Sequence, residues 1–474
     1  MMECWNAVDT DTIAALSTPL GRGGIAVLRI SGSKTRSILS RIIEKWANAN
    51  SNSRSHSEKI KITPGHTFHS FITANRKRID EVVIVFFQAP HSYTGEDLAE
   101  ISMHSNPFLV EEVLNLICSL EPQGIRSALP GEFTYRAFKN GKMDLIQAES
   151  VNELINANSR YYAHMKFGSL EGRLSRMMEQ LKEDLIELGV RIETRIEFEE
   201  DQFFDEITIV QQLEAPLKRL DTLLVNTRFN ELLNKGLSVV IVGKVNVGKS
   251  SLFNTLLMDE RSIISSIPGT TRDFIREKIY IDGFPVEITD VAGINRESRD
   301  DIEAEGMRRS LERVNNCDAA IFMLDMSQPL ENTDKEIYQL VKEKKKIIAA
   351  NKQDIIDQQV WEAINTYFKD EEVIGISVKE HVNIETVIGF LRKIVTNIKE
   401  RETEFTINQR QKLALEELRV VLCRVKEMIA AHSCHVEIIA EEIRRAVDVI
   451  GQLMGEITPD DILNKIFSEF CIGK

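Results

Sequence analysis

The chain has 474 residues, 43% of them hydrophobic, and a formal net charge of -14 at pH 7. That length can bury sizeable cores and suggests roughly three domains at about 150 residues each, while the acidic balance excludes a surface that binds nucleic acid indiscriminately. No apolar run approaches the ~18 residues of a membrane span, Glu3, Asp9 and Asp11 stand where a leader would be basic, and Cys4, Cys118, Cys317, Cys423, Cys434 and Cys471 form no CxxC pair, so a reducing, cytoplasmic setting is expected.

Residues 1–141 mix short β-rich runs (25–30, 81–87) with Gly and Pro punctuation and one helical stretch at 109–120, the texture of an α+β domain. With 15 Lys and Arg against 14 Asp and Glu, this part is nearly neutral, so any RNA contact is expected to be local. The Ser/Asn-rich stretch 48–57 reads as a surface loop, and Arg76-Lys-Arg78 as a solvated turn. Residues 142–236 change to helical spacing, with Leu174, Met177, Met178, Leu181, Leu185 and Leu188 on one face. The acidic stretch 197–206 within them reads as a solvated face.

Residues 237–398 alternate strands (237–242, 276–281, 286–289, 319–324, 347–350, 373–376) with helices, as a doubly wound α/β domain does. Helical periodicity returns over 399–474, so the α/β domain is expected to be an insertion into a discontinuous helical domain. His432-Ser-Cys434-His435 holds metal-ligand types, but they stand too close together on one helical stretch to wrap an ion. Near the end, Thr458 is expected to cap a helix, Pro459 to occupy its first turn, and Ile462, Ile466, Phe467 and Phe470 to form its apolar stripe.

Gly243-Lys-Val-Asn-Val-Gly-Lys-Ser250 fits GxxxxGK[ST] between a strand and a helical run. Glycines at 243 and 248 let backbone N–H groups face phosphate oxygens, Lys249 neutralises the β and γ phosphates, and Ser250 offers Mg²⁺ a hydroxyl. The phosphate-binding set is thus Asn246, Val247, Gly248, Lys249, Ser250 and Ser251. Pro268-Gly-Thr-Thr271 supplies Thr271 as a second Mg²⁺ hydroxyl, and Asp290-Val-Ala-Gly293 places Asp290 by the metal and the Gly293 amide by the γ-phosphate. Asn351-Lys352-Gln-Asp354 reads the base: a carboxylate at Asp354 accepts both guanine donors, which adenine lacks. Ser377-Val-Lys379 completes that pocket. Four motifs in order identify GTP as the ligand. Ile294 stands where a glutamine usually orients the attacking water, so water must be held otherwise; spacing alone leaves Glu303 and Glu305 equally readable as that device or as exposed helix carboxylates.

With Asn246 in the phosphate loop, Ile294 after DxxG and a terminal Cys471-Ile-Gly-Lys474, the chain resembles the MnmE (TrmE) family of tRNA-modification GTPases. The likeness extends to Pro19-Leu-Gly-Arg-Gly-Gly24, Leu28-Arg-Ile-Ser-Gly32, Tyr93-Thr-Gly-Glu-Asp97, Pro130-Gly-Glu-Phe133 and Lys142-Met-Asp-Leu145. It implies an N-terminal α+β folate-binding and dimerisation domain, a helical domain and a Ras-like GTPase domain. It also implies a homodimer that forms a heterotetramer with the FAD-dependent MnmG (GidA). Together they modify C5 of the tRNA wobble uridine with an aminomethyl or carboxymethylaminomethyl group, from a 5,10-methylene or 5-formyl tetrahydrofolate. The matching folate positions are Arg29, Glu100, Lys142 and Lys474. The family's GTPase uses K⁺; Asn246, Ser265, Ile267 and Thr270 match its ligands, and Glu303 matches its water-orienting glutamate across a loop about one residue longer. Cys471 is the matching thiol, a nucleophile or proton donor on one reading and a packed side chain on the other. A rival from another class, a GTPase that switches ribosomal or signalling partners, would have no use for a folate pocket or Cys471.

Overall fold

The computed structural model describes residues 11–45, 62–75, 77–120, 124–198, 206–225, 232, 236–259, 276–290, 308, 311–399, 406–430 and 436–474. The chain divides into two compact units, Met1–Glu153 with Ser169–Leu217 and Leu413–Lys474, and Leu154–Gly168 with Lys218–Lys412.

In the first unit, β1 (Thr12–Leu16), β2 (Ile25–Ser31), β3 (Ile43–Lys45), β4 (Thr67–Ala74), β5 (Lys77–Phe87), β6 (Leu98–His104) and β7 (Ile125–Ser127) form one sheet, ordered β3-β4-β5-β6-β2-β1-β7. Neighbours run antiparallel except β1 and β7. Alternation sets its faces: β5 buries Val82, Ile84 and Phe86 and leaves Glu81 and Val83 outside. The buried face meets helices Thr35–Ile42 and Pro107–Ser119 through Ile38, Leu39, Val110 and Val113. The second of these starts as the rules for helix ends require, with Pro107 in its first turn and the Asn106 side chain accepting from the Phe108 N–H. Pairing of β2 with β6 sets Arg29 directly across from Glu100.

Helices from both sides of the second unit's sequence complete the first. Arg173–Phe198 runs beside Val436–Met454, and the ion pairs Lys182–Glu456 and Arg444–Glu193 lie along this helical part. Helix Asp460–Ser468 then returns the chain end to the sheet domain, where Ile472 bridges Pro130. Two details differ from expectation. Pro459, not Thr458, is the N-cap, and no side chain caps this helix; the Thr458 hydroxyl donates instead to the Gln452 carbonyl of the preceding helix. The apolar stripe holds at Phe467 and Phe470, which are buried, and at Ile466, which packs against the same core, but Leu463 is buried where Ile462 was expected, and Ile462 is 44% exposed. Leu463 and Phe467 are four apart, so one helix face carries both. Phe467 meets the Tyr135 ring edge-on at 5.4 Å.

The second unit holds β8 (Leu237–Val242), β9 (Arg276–Ile281), β10 (Phe284–Asp290), β11 (Ala319–Asp325), β12 (Lys345–Asn351) and β13 (Val373–Gly375), ordered β13-β12-β11-β8-β10-β9. Only β9 runs antiparallel to its neighbour. Its central strands are apolar on both faces, as a covered parallel sheet requires: Val239 and Ile241 enter one core, Val240 and Val242 the other. Helix Arg160–Leu170 lends Tyr162 and Met165 to the first of these cores. The architecture expected from sequence is therefore present: an α+β domain, a discontinuous helical domain and an inserted α/β domain. The carboxyl ends of β8, β10, β11 and β12 share one edge, the usual ligand position in such sheets.

Candidate functional site

At that edge the phosphate loop leaves β8. Gly248 has φ +101°, and a Cβ there would run into the Asn351 side-chain amide. The close approach lets Asn351, at the end of β12, donate from Nδ2 to the Val247 carbonyl (2.8 Å) and accept at Oδ1 from the Val378 N–H (3.1 Å). One buried amide thus ties the phosphate loop to both base-reading segments. Asn246 sits at the loop's exposed tip in a left-handed conformation, φ +65°, which asparagine tolerates.

Lys249 is 7% exposed, and its ammonium donates to the carbonyls of Gly243 (3.1 Å) and Lys244 (2.7 Å). Burial holds its pKa below the ordinary lysine value, against the opposing pull of Asp290. The Ser250 hydroxyl donates to Asp290 Oδ2 at 2.6 Å, and the buried Asp290 Oδ1 has no hydrogen-bond partner. A hydroxyl and a half-satisfied carboxylate are hard oxygen donors of the kind Mg²⁺ takes, so the residues present fit that ion. Ser251 follows, exposed, in helix Lys249–Asp259.

The base-reading loop is equally ordered. Lys352 has φ +68° and its ammonium meets Asp325 Oδ2, at the end of β11, at 2.5 Å. Burial raises the Asp325 pKa, but Lys352 and the Ser327 hydroxyl and N–H outweigh it, so the carboxyl lies below its usual range. Asp354 accepts from the Ser377 hydroxyl at 2.6 Å, and that bond holds its carboxyl below the usual range too. Lys379 lies beyond, well exposed beside Glu380. Asp325 had not been singled out from sequence; its signal is an acidic residue closing an otherwise apolar strand.

Ser265, Ile267, Thr270, Thr271, Gly293, Ile294, Glu303 and Glu305 lie outside the described residues, as do Arg76 and the 432–435 cluster. Lys77 and Arg78, read as part of a turn, begin β5, where Arg78 pairs with Glu44 and stands 4.0 Å over the Phe71 ring. Among the described residues no cluster of three or more His, Cys, Asp or Glu could hold a metal ion.

The first unit gathers a second set of charges. Arg29 meets Glu100 Oε1 through Nη2 (2.6 Å) and Nε (3.1 Å), and its guanidinium lies 5.3 Å from the Tyr93 ring centre and 5.6 Å from that of Phe133. The chain terminus arrives beside this pair: the Gly473 carbonyl accepts from Ser17 Oγ (3.1 Å) and Arg29 Nη1 (3.5 Å), and the Gly131 N–H reaches the Cys471 carbonyl (3.4 Å). Burial and the Arg29 charge push Lys474 below the ordinary lysine pKa, with Glu100 and Cys471 pulling the other way. Arg29, Glu100 and Lys474 are therefore together, with Cys471 exposed next to them. Lys142 is exposed and donates to the Pro90 carbonyl (3.1 Å); among the described residues it makes no hydrogen bond or ion pair with the other three.

Behind this cluster Glu132, 1% exposed, takes Arg126 (2.6 Å), Arg136 (2.9 Å) and the Leu129 N–H (2.8 Å). Arg136 also reaches Glu96 (3.1 Å). Nothing local in the sequence marks Glu132 as buried, so the network shows only in the fold.

Comparison with known proteins places the chain by its sequence. Residues 145–471 match the model of the MnmE helical domain and residues 12–142 that of the GTP-binding protein TrmE N-terminus. The chain is 36% identical over 468 residues to the tRNA modification GTPase MnmE of Aquifex aeolicus (strain VF5), covering 98% of this chain and 100% of that protein. It is 36% identical over 466 residues to the MnmE of Thermotoga maritima, with the same coverage. The MnmE of Alkaliphilus metalliredigens is 37% identical over 475 residues, 98% of this chain and 99% of that protein.

Proposed function

The chain belongs to the MnmE family of tRNA modification GTPases, and we propose that it is a potassium-dependent GTPase that adds an aminomethyl or carboxymethylaminomethyl group at C5 of the tRNA wobble uridine. On this reading it works in the cytoplasm, as a homodimer joined to an FAD-dependent partner of the MnmG type, with a 5,10-methylene or 5-formyl tetrahydrofolate as one-carbon donor. Residues 1–141 hold folate and dimerise, 142–236 and 399–474 form the helical domain, and 237–398 hydrolyse GTP. No helix among the described residues is long and apolar enough to cross a membrane.

Hydrolysis follows from the nucleotide edge. Asp354, kept ionised by Ser377, accepts the two guanine donors, and Asn351 keeps base loop and phosphate loop in register. Lys249 exchanges carbonyl partners for phosphate oxygens, the same electrostatic role at larger charge. Ser250, Thr271 and Asp290 would hold Mg²⁺, which supplies charge neutralisation at the phosphates. Asn246, Ser265, Ile267 and Thr270 are the proposed K⁺ set, Gly293 the γ-phosphate amide, and Glu303 the residue that orients water.

The folate half is supported by one observation above others. The terminal Gly473 carbonyl is hydrogen-bonded by Ser17 and Arg29, which carries Lys474 and Cys471 to the Arg29–Glu100 pair. Cations suit the glutamate tail of a folate and a carboxylate suits pterin N–H donors, with the rings of Tyr93 and Phe133 flanking Arg29. The test is mass spectrometry of wobble uridines in cells whose own copy is replaced by Cys471→Ser. GTP turnover by the purified variant is expected to match the parent protein, and modified uridine to fall sharply. Unchanged nucleosides would remove an essential thiol, and unchanged nucleosides in cells lacking the protein altogether would favour a GTPase that only switches partners.

A further inference from the structure

The second residue of the phosphate loop has a partner the nucleotide does not explain. Lys244 Nζ lies 2.9 Å from Asp334 Oδ2 and 3.2 Å from Glu331 Oε2. Those two carboxylates form the capping box of helix Asn332–Val341: Glu331 is its N-cap, and its N–H donates to Asp334 Oδ2 at 2.9 Å. The Asp334 side chain is 3% exposed and its Oδ1 is buried without a hydrogen-bond partner, while the Lys244 side chain is 19% exposed. An ion pair this sheltered is screened far less than a surface pair. Through its backbone, Lys244 also gives Lys249 its shorter carbonyl contact.

We propose that Lys244 is a positioning residue for nucleotide binding, clamping the first half of the phosphate loop to the start of helix Asn332–Val341 so that the carbonyls and N–H groups around Lys249 are set before GTP arrives. The second half has its own anchor in Asn351. With both halves fixed, the loop loses less conformational freedom when phosphates bind, which is affinity gained by preorganisation. The inference rests on nucleotide binding by this loop and is independent of the folate chemistry.

A through-space alternative makes the opposite prediction for one partner. If Lys244 acted only as a positive charge near the phosphates, removing the negative Asp334 would raise affinity for an anionic nucleotide. If the pair is a clamp, removing either member lowers it. Asp334→Asn keeps an oxygen for the Glu331 N–H, so the helix cap survives the substitution.

The experiment titrates a fluorescent N-methylanthraniloyl GDP into full-length parent protein, Lys244→Met, Asp334→Asn, the double variant and Lys244→Arg, with thermal unfolding of each as the control on folding. Binding by the parent protein checks the nucleotide site itself. Both single variants are expected to weaken binding about tenfold, the scale of one charge-assisted hydrogen bond. The double variant should be no weaker than either single one, and Lys244→Arg should recover most of the loss. Tighter binding by Asp334→Asn would overturn the clamp in favour of simple charge. Unchanged affinity with a lowered melting temperature would overturn it in favour of a purely structural ion pair.

Discussion

The carbonyl oxygen of Leu16 occupies the space that a Cβ on Gly473 would need. Gly473 also has φ +93°, a conformation that L side chains rarely adopt, and its own carbonyl is bound by Ser17 and Arg29. The third residue of the terminal motif is therefore glycine because the tail passes backbone against backbone. Gly473→Ala has to lift the tail from β1 and carry Lys474 away from Arg29. Affinity for 5-formyl tetrahydrofolate, measured by calorimetry, is expected to fall about tenfold or more, and carboxypeptidase is expected to trim the tail faster. Parent-like folate affinity in this variant would detach the tail from the proposed folate site.

Gly248 and Asn351 form the corresponding contact in the nucleotide site. A Cβ at position 248 collides with the Asn351 amide, which cannot retreat without losing its bonds to Val247 and Val378. Added to the strain of φ +101°, this predicts that Gly248→Ala weakens GDP binding roughly a hundredfold, two lost interactions at about tenfold each. Equilibrium binding of a labelled GDP measures it; a loss below threefold would mean that the loop shifts freely.

The candidate nucleotide site was legible because its chemistry is local. Gly243 to Ser250 is one turn between a strand and a helix, and Asn351 to Asp354 one loop after another strand, so spacing alone fixes what each backbone and side chain can reach. What sequence could not give joins residues far apart in the chain: Lys244 to Asp334, Gly473 to Leu16, and Arg136 to Glu96 inside the sheet domain. Each depends on a fold that only packing decides. Thr458 failed as a cap for a smaller reason, since hydroxyls choose among nearby backbone groups and the Gln452 carbonyl was within reach. On the last helix Ile466, Phe467 and Phe470 face the core as expected, and only Ile462 gives way to Leu463, because the two are equally apolar and only the core distinguishes them.

Glu132 gives the first unit a predictable response to acid. Burial pushes its carboxyl pKa up, but Arg126, the Leu129 N–H and Arg136 together outweigh burial, leaving it below the ordinary value. A carboxyl whose pKa is depressed by folding stabilises the fold fully above its unfolded pKa, about 4.3 for Glu. That contribution is lost as pH falls through the folded value. Glu132→Gln leaves two arginines without their carboxylate, which for a buried pair costs about 3 kcal/mol or more. Thermal melts should show the variant well below the parent at pH 7, with the gap closing below about pH 4 as the parent's own carboxyl protonates. A gap that stays constant down to pH 3 would mean that Glu132 contributes shape and not charge.

The proposed potassium dependence is what the family resemblance implies, and two positions bear on it, Asn246 and Ile294. Asn246 stands exposed at the tip of the phosphate loop in a left-handed conformation, just before helix Lys249–Asp259. Ile294 cannot orient water or stabilise charge, so the transition state needs another positive group near the phosphates. On the proposed reading, a monovalent cation held by the Asn246 oxygen would supply it without a partner's arginine. If K⁺ is that cation, GTP turnover by the parent protein should be much faster in KCl than in NaCl at equal ionic strength. Asn246→Ala should abolish that difference while still binding GDP, because charge stabilisation belongs to the transition state more than to the ground state. Equal rates of the parent protein in the two salts would sink the assignment, and a salt preference that survives in Asn246→Ala would move the cation to other ligands.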